Sequence, residues 1–187
     1  MAGINTLFVG LCQHAGFREL DFSHLKMTVS GGTALIDSAR MAWKEATGGE
    51  ITEGYGMSET SPVISINYPG KEHYGTVGQA LIGTQVEIWD VNDSPVPQGD
   101  VGQIVVKGPQ VMKGYWKNPE ETAEVLTADG YFKTGDMGMI LDDSCIQIVD
   151  RLKDMILVSG FNVYPSEVEQ VLCSHPDVIE VAVVGVP

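Results

Sequence analysis

The chain has 187 residues, of which 43% are hydrophobic and 19% charged, a composition typical of a folded globular protein. Its 11 basic and 25 acidic side chains give a net charge of −14, which argues against a nucleic-acid binder, because such proteins carry a basic face. No apolar run approaches the roughly 20 residues of a membrane helix. Three scattered cysteines form neither a disulfide framework nor a CxxC metal pair, so we expect a cytoplasmic protein.

The first third of the chain alternates strand and helix signals. Leu25–Val29 alternates apolar and polar residues, which predicts a short strand, and a glycine pair follows it. Ile36, Ala39 and Trp43 then recur at helical spacing, which predicts one face of a helix that stops at Gly48. A strand, a glycine turn and a helix in this order indicate an α/β layer with a parallel sheet.

The middle third is predicted to be mainly β-structure. Thr84–Val91 and Val101–Lys107 are strand-like runs separated by turn residues. Met139–Leu141 and Ile146–Val149 flank Asp142-Asp143, which predicts a β-hairpin.

The last part opens with a predicted strand at Met155–Val158, a glycine turn at Gly160 and a helix that begins near Pro165. One face of this helix is predicted to carry the apolar residues Val168, Val171 and Leu172.

The helix is predicted to end at His175-Pro176, and a buried strand is predicted over Val178–Val184. A single strand–helix–strand unit is half a domain, so we expect the last module to be incomplete. The predicted organisation is therefore an α/β portion at 1–74, a β-rich portion at 75–150, and a third segment at 151–187.

Two glycine-containing motifs of the first third could bind a ligand. Ser30–Ala34 lies where a strand yields to a helix, so its backbone could approach a planar ligand or a phosphate; a plain tight turn is the alternative. In Glu53–Pro62, two glycines flank Tyr55, whose ring could face a nucleobase. Ser58 beside Glu59 supplies the hydroxyl and carboxylate that suit Mg²⁺ and phosphate. A polar loop with Tyr55 in the core is the equal alternative.

Two later motifs are polar. Tyr131–Asp136 places a carboxylate just after a predicted glycine turn, where it could accept both ribose hydroxyls or cap an Asx-type turn. Asp150–Asp154 is a charge cluster between apolar strands, which is also typical of a solvated surface turn. The four histidines have no metal-ligand spacing.

Taken in order, these motifs resemble the core motifs of the adenylate-forming superfamily, which comprises acyl-CoA synthetases, luciferases and nonribosomal-peptide adenylation domains. The resemblance covers essentially the whole chain and is greatest to bacterial long-chain fatty-acid–CoA ligases. It is carried by five segments: Ser30–Ala34, Glu53–Thr60, Gly102–Trp116, Tyr131–Asp136 and Asp150–Pro165.

The resemblance implies a fold. The chain would form the back part of the family's large domain, an α/β sheet plus a distorted β-barrel, and the start of its small α+β C-terminal domain. It also implies three catalytic residues: Ser58, which holds a phosphate oxygen, Glu59, which binds Mg²⁺, and Lys153, the hinge about which the small domain turns.

The nucleotide-binding residues are implied in the same way. In this superfamily adenine lies against the first glycine motif and stacks on the tyrosine, the aspartate takes the ribose hydroxyls, and the glycine-containing segment after the hinge helps form the pantetheine channel. The corresponding residues here are Gly31, Gly32, Thr33, Glu53, Gly54, Tyr55, Gly56, Met57, Asp136, Arg151 and Gly160. The family usually has Thr at Ser58 and often Gln at Glu53.

The implied reaction uses ATP, Mg²⁺, a fatty acid and coenzyme A. The fatty carboxylate attacks the α-phosphate of MgATP to give acyl-adenylate and pyrophosphate, and the coenzyme A thiol then displaces AMP. An aryl- or amino-acid-activating enzyme and a non-catalytic nucleotide-binding module are the alternatives. Peripheral contact with the inner membrane and oligomer formation stay open.

Two cationic elements of the family have no counterpart in these residues. They are the Ser/Thr/Gly-rich phosphate loop that ends in Lys, expected before Met1, and the catalytic lysine, expected beyond Pro187. We therefore expect that these 187 residues by themselves lack ligase activity. We also expect self-association or a partly disordered tail after Arg151, because incomplete sheets leave strand edges exposed.

Overall fold

The computed structural model describes residues 1–173, 175, 178 and 181–186. They form two compact units, one of residues 1–84 with 108–113 and the other of residues 85–107 with 114–187. Among the described residues, no helix is both long enough and apolar enough to cross a bilayer. The three cysteines are free thiols.

The first unit is built on a five-stranded sheet in the order β1-β2-β3-β4-β5. Its strands are β1 (Ala2–Gly3), β2 (Thr28–Ser30), β3 (Ile51–Gly56), β4 (Val63–Ile66) and β5 (Gln79–Ala80). The first three strands run parallel, and β4 and β5 are antiparallel to their neighbours. The predicted parallel α/β layer is therefore confirmed for the first half of the sheet.

Two helices make the crossovers that parallel strands require. Helix α1 (Asn5–Gln13) connects β1 to β2, and helix α2 (Asp37–Thr47) connects β2 to β3. A cluster of large side chains lies under them: Phe8, Phe17, Trp43 and Ile51. The Phe8 and Trp43 rings meet edge to face with centroids 5.1 Å apart.

The helix predicted from Ile36, Ala39 and Trp43 forms, with one correction. Ala39 and Trp43 are buried, but Ile36 is 44% exposed, because it is the N-cap residue with extended backbone rather than part of the helix. The helix ends as predicted at Gly48, whose φ of +73° allows its N–H to bond to Lys44 O at 2.8 Å. The preceding strand begins at Thr28, three residues later than Leu25.

The second unit contains a four-stranded antiparallel sheet in the order β6-β7-β8-β9. Its strands are β6 (Gln85–Trp89), β7 (Gly102–Lys107), β8 (Phe132–Ile140) and β9 (Ile146–Arg151). The predicted strands and hairpin of the middle third are confirmed, with β8 much longer than predicted. Within the described residues this sheet is open rather than a closed barrel. Strand β5, which follows the boundary predicted near Gly75, pairs with β4, and the predicted division into 1–74, 75–150 and 151–187 stays a prediction.

One helix of this unit has no counterpart in the predictions. Helix α3 (Pro119–Val125) begins after Asn118, whose side chain accepts a bond from the Glu121 N–H at 3.3 Å. Pro119 at the first helical position loses no helical hydrogen bond. Helix α3 has no buried residue, so no apolar periodicity marks it in the sequence beyond the short Asn-Pro start signal.

The hairpin strands β10 (Ile156–Val158) and β11 (Phe161–Val163) precede helix α4 (Pro165–Cys173). The predicted strand, glycine turn and helix start are confirmed. The apolar residues Val168, Val171 and Leu172 are 37%, 71% and 45% exposed among the described residues, so helical periodicity here does not mark a covered face.

The predicted strand Val178–Val184 is wrong for its described part, since Val178 and 181–184 form no strand. Ile179 and Glu180 of that predicted strand lie outside the described residues. The predicted helix end at His175-Pro176 lies partly outside them as well, because Pro176 is not described. Helix α4 ends at Cys173.

Candidate adenylate site

The glycine motif after β2 exposes backbone. Ser30 is buried, whereas Gly32, Thr33 and Ala34 are exposed. Gly32 has φ +86°, and a Cβ there would meet no atom within 4 Å, so its conformation rather than crowding selects glycine. The loop therefore offers an open backbone surface to a planar group.

The start of α2 is a poor phosphate site, contrary to the expectation for a strand–helix turn. Asp37 occupies the first turn, and its carboxylate opposes an incoming anion. The Ile36 N–H is already taken by Asn5 Oδ1 at 3.0 Å. The motif is thus suited to a neutral base rather than to phosphate.

The tyrosine motif lies along β3, beside the glycine motif. Glu53 is the cross-strand neighbour of Ser30, and Tyr55 pairs with Ser65 of β4. Tyr55 is half-buried, so the interpretation of this residue as part of the core is not supported.

The two flanking glycines are constrained by neighbouring backbone, and the predicted clearance for a ligand stays a prediction. A Cβ at Gly54 would lie 3.2 Å from Ser65 O, and a Cβ at Gly56 would lie 1.8 Å from Pro62 O. The backbone of Pro62, just before β4, leaves no room for a Cβ at Gly56, whereas at Gly54 the backbone of β4 would only have to shift slightly. A β-bulge between Tyr55 and Gly56 marks the same place.

The carboxyl of Glu53, in the first unit, has a strongly raised pKa. Burial raises the pKa of its carboxyl from 4.5 to about 7, and Asp37 adds to the rise. The Arg40 guanidinium and a hydrogen bond from the Leu35 backbone lower that pKa but do not offset the burial. Arg40 also contacts Asp37, with Nε–Oδ1 3.2 Å. Glu53 therefore changes charge near neutral pH, and the spacing of the motif gave no sign of it.

The raised pKa of Glu53 predicts a pH-dependent stability. The folded-state pKa of the Glu53 carboxyl lies above its unfolded value. The contribution of this carboxyl to the free energy of unfolding is therefore fully present below about pH 4.5 and is lost as pH rises through about 7. Between about pH 5 and pH 8, we expect the free energy of unfolding of the wild type to fall relative to Glu53→Gln by about 1–2 kcal/mol after solvent screening. Urea unfolding at both pH values measures this difference.

The exposed residue Glu19 provides the control. Glu19→Gln should follow the wild type at both pH values. If the free energy of unfolding has the same pH dependence in Glu53→Gln and in the wild type, the raised pKa of Glu53 is contradicted.

Ser58 and Glu59 lie on a tight turn between β3 and β4. Residues Ser58–Thr60 form a single 3-10 turn, with Ser58 exposed and Glu59 half-buried. The Glu59 carbonyl accepts a bond from the Met112 N–H at 2.8 Å. A hydroxyl and a carboxylate on adjacent residues are hard oxygen donors and fit Mg²⁺ and a phosphate.

The carboxylate candidate of the second unit is Asp136. The predicted glycine turn before it is wrong: Gly135, with φ +76°, lies inside β8, where the pairing with β7 shifts register. Gly135 is therefore part of a bulge, and a bulge re-aims the next side chain. The Asp136 N–H donates to Thr134 Oγ1 at 3.1 Å.

Arg151 is brought to Asp136 by the sheet. The two residues are cross-strand partners of β8 and β9, with Arg151 Nε 3.8 Å from Asp136 Oδ1. The Asp136 side chain is 15% exposed and that of Arg151 is 62% exposed. The pair therefore presents an acceptor and a cation from one sheet face.

Sequence reasoning missed the role of the neighbouring Asp150. This residue is buried and accepts from the Ser166 N–H at 2.9 Å and from the Arg151 N–H at 2.7 Å. It thus anchors the start of α4, so the charge cluster Asp150–Asp154 is only partly a solvated turn.

Lys153 and Gly160 lie in turns of the second unit and are exposed. The backbone bends back at Lys153, since the Asp154 N–H bonds to Arg151 O at 3.0 Å. Gly160 (φ +87°) and Ser159 (φ +51°) form the two-residue connection of β10 and β11, a hairpin geometry that favours glycine. Their predicted roles as hinge and channel residues stay predictions.

The family model for AMP-binding enzymes matches residues 1–116, more than half of the chain. The chain belongs to this family of adenylate-forming enzymes. The resemblance inferred from the ordered motifs is thereby confirmed.

Similar proteins extend this finding over the whole chain. A long-chain-fatty-acid–CoA ligase of Escherichia coli O6:H1 is 44% identical across 100% of the chain, which spans 33% of that protein. A feruloyl-CoA synthase of Amycolatopsis is 39% identical across 99% of the chain and 38% of that protein. The crystal structure of ATP-bound MatB from Rhodopseudomonas palustris superposes with a TM-score of 0.89 at 36% identity, over 100% of the chain and 37% of MatB. The chain thus spans about a third of the length of the curated relatives it matches.

Proposed function

We propose that the chain is part of an acid–thiol ligase that activates a long-chain fatty acid with MgATP and transfers the acyl group to coenzyme A. The observation that carries the proposal is the Ser58–Glu59 turn, which adjoins the strand bearing Tyr55. The identity to long-chain-fatty-acid–CoA ligases supports the substrate class. The ATP bound in the similar MatB structure supports ATP as the nucleotide substrate.

In the first unit, the proposed roles follow the chemistry of the side chains. The exposed backbone of Gly32 and Thr33, together with the half-buried Gly31, receives the adenine, and Tyr55, itself half-buried, stacks on it. The Ser58 hydroxyl donates to a phosphate oxygen. Glu53, Gly54, Gly56 and Met57 hold the strand and turn that carry these groups.

Glu59 is the residue that would hold Mg²⁺, as a carboxylate ligand beside substrate phosphates. When bound, the metal neutralises phosphate charge during attack by the carboxylate. That offset matters because the chain carries a net charge of −14, which disfavours binding of a polyanion.

In the second unit, the Asp136 carboxylate accepts hydrogen bonds from both ribose hydroxyls, and Arg151 stays near the ribose. Lys153 acts as the hinge between the two half-reactions, and the Gly160 segment contributes to the coenzyme A channel. The first step joins two anions, the fatty carboxylate and ATP. Positioning of the reactants and neutralisation of their charge therefore supply most of the catalysis.

An aryl-acid substrate is the second candidate, supported by the feruloyl-CoA synthase at 39% identity. Calorimetric titration of the chain with non-hydrolysable palmitoyl-adenylate and feruloyl-adenylate analogues, with AMP as reference, separates the two. We expect the palmitoyl analogue to bind more tightly than the feruloyl one. The reverse order contradicts the fatty-acid assignment, and no binding of any of the three contradicts the adenylate site.

A separate proposal is that these 187 residues by themselves have no ligase activity. No palmitoyl-CoA should form from palmitate, MgATP and coenzyme A, since the chain spans a third of its relatives. Thioester above the no-enzyme background would contradict this expectation. A stable partner chain found by native mass spectrometry would instead favour a non-catalytic module.

A further inference from the structure

The turn that carries Ser58 and Glu59 is closed by one buried hydroxyl. Thr60 is 0% exposed. Its Oγ1 accepts a hydrogen bond from the Met57 N–H at 3.2 Å and donates to Pro62 O at 2.8 Å, with Met57 O a further acceptor at 3.1 Å. One side chain thus bonds to the backbone on both sides of the turn.

This bonding fixes the two residues between its anchor points. Ser58 and Glu59 are the only residues between Met57 and Thr60. A single 3-10 turn has poor hydrogen-bond geometry by itself, so its rigidity must come from other contacts. Two backbone bonds close the same turn: Met57 N–H to Pro62 O at 2.9 Å and Thr60 N–H to Met57 O at 3.0 Å.

A second segment of the first unit supports the turn from outside. Gln110 Nε2 donates to Thr84 Oγ1 at 2.7 Å and to Val63 O at 3.3 Å, which ties the segment 108–113 to the start of β4. From this segment, the Met112 N–H reaches the Glu59 carbonyl. The Glu59 backbone is therefore held on one side by the Thr60 hydroxyl network and on the other by Met112.

We infer that Thr60 is a positioning residue: it does not itself touch nucleotide or metal, but its hydroxyl holds the Ser58 hydroxyl and the Glu59 carboxylate in the geometry that takes up a magnesium-bound phosphate. The inference rests on the proposed function of that turn. A carboxylate ligand displaced by about 1 Å loses much of its effect on a reacting phosphate.

The hydroxyl can be removed with almost no change in side-chain shape. Thr60→Val keeps the β-branched volume but leaves the Met57 N–H and Pro62 O without the Oγ1 partner. Thr60→Ser keeps the hydroxyl and loses a methyl group. If position is the role of Thr60, the serine variant retains metal-dependent binding that the valine variant loses.

The experiment measures ATP affinity of the chain with excess Mg²⁺ and with EDTA, for the wild type, Thr60→Val, Thr60→Ser and Glu59→Gln. We expect Thr60→Val to reduce the enhancement by Mg²⁺ about tenfold, with little change in the metal-free affinity. Thr60→Ser should keep most of the enhancement. The double variant Thr60→Val/Glu59→Gln should lose no more than Glu59→Gln alone, because both changes remove the same metal contact.

Thr76→Val is the matched control. Thr76 is 3% exposed and closes a different turn, with Oγ1 donating to His73 O at 2.7 Å and accepting from the Gly78 N–H at 3.2 Å. Its loss should lower stability in a similar way and leave the Mg²⁺ enhancement unchanged. A purely structural role for Thr60 would make the two valine variants behave alike.

Hydrogen exchange separates failure of this inference from failure of the proposed function. In Thr60→Val, the Met57 amide should exchange about tenfold faster while amides in the centre of β3 stay protected. If the Met57 amide of Thr60→Val exchanges faster but Mg²⁺ does not enhance the ATP affinity of the wild type, the turn has no role in metal binding. That result overturns the proposed function of the turn and, with it, the positioning role. Unchanged exchange, or an unchanged Mg²⁺ enhancement in folded Thr60→Val, overturns the positioning role alone.

Discussion

Replacement of Gly56 by alanine should lower the free energy of unfolding by about 3 kcal/mol or more, because forced overpacking against backbone is costly. The added Cβ would lie 1.8 Å from Pro62 O and 2.7 Å from Pro62 C. These are main-chain atoms, so no side-chain rotation relieves the contact, and β3 must separate from the segment before β4. Urea unfolding followed by circular dichroism measures the loss.

Gly10 offers the matched control for that substitution. It lies within α1, where a Cβ would meet no atom within 4 Å. Gly10→Ala should raise the free energy of unfolding by about 0.5–1 kcal/mol, the difference between the two residues in a helix interior. A Gly56→Ala chain that unfolds at the wild-type urea concentration would show that β3 and the Pro62 segment are not packed as described.

Replacement of Asp136 by asparagine should weaken adenylate binding by about 10- to 100-fold. The proposed carboxylate accepts from two ribose hydroxyls, and hydrogen bonds to a charged acceptor contribute about 1.5–3 kcal/mol each. Asparagine keeps one acceptor oxygen and adds a donor where the ribose also donates. Calorimetric titration with the palmitoyl-adenylate analogue measures the change.

Stability should not account for that loss of affinity. The Arg151 partner of Asp136 is largely exposed and 3.8 Å away, and such a pair contributes about 1 kcal/mol or less. Asp100→Asn, an exposed substitution in the same unit, should leave affinity unchanged. Equal affinity of the wild type and Asp136→Asn would remove Asp136 from the site.

Elements set by local chemistry were predictable from the sequence. Helix α2 ends at Gly48 because only a residue that tolerates positive φ completes that cap. The strands β6 and β7 follow from apolar runs between turn residues, and the β8–β9 hairpin follows from its acidic turn. In each case the deciding signal lies within a few residues of the element.

Features that depend on cross-strand partners were not predictable. Glycine suits a turn and a bulge equally: the sequence predicts a turn at Gly135, whereas the register shift between β7 and β8 places it in a bulge. Gly56 is constrained by the backbone of Pro62, just before β4, and Gly54 less strictly by Ser65 of β4. Helical spacing likewise predicts which residues of α4 share a face but not what covers that face.

The candidate site shows the same division. Ordered motifs identify Tyr55, Glu59 and Asp136 as candidates, because their residue types suit the chemistry. The influence of Arg40 on Glu53 acts through space, and the role of Thr60 comes from backbone bonds that only the folded turn creates. Such supporting residues have no signature in composition or spacing.

The central claim is that Tyr55 of the first unit contacts a bound adenylate, and one calorimetric comparison tests it most directly. The palmitoyl-adenylate analogue is titrated into the wild type, Tyr55→Ala and the control variant Gly10→Ala. The claim predicts one equivalent bound by the wild type and by Gly10→Ala, and affinity at least about tenfold weaker in Tyr55→Ala. Binding of the analogue to Tyr55→Ala with the wild-type affinity would contradict it.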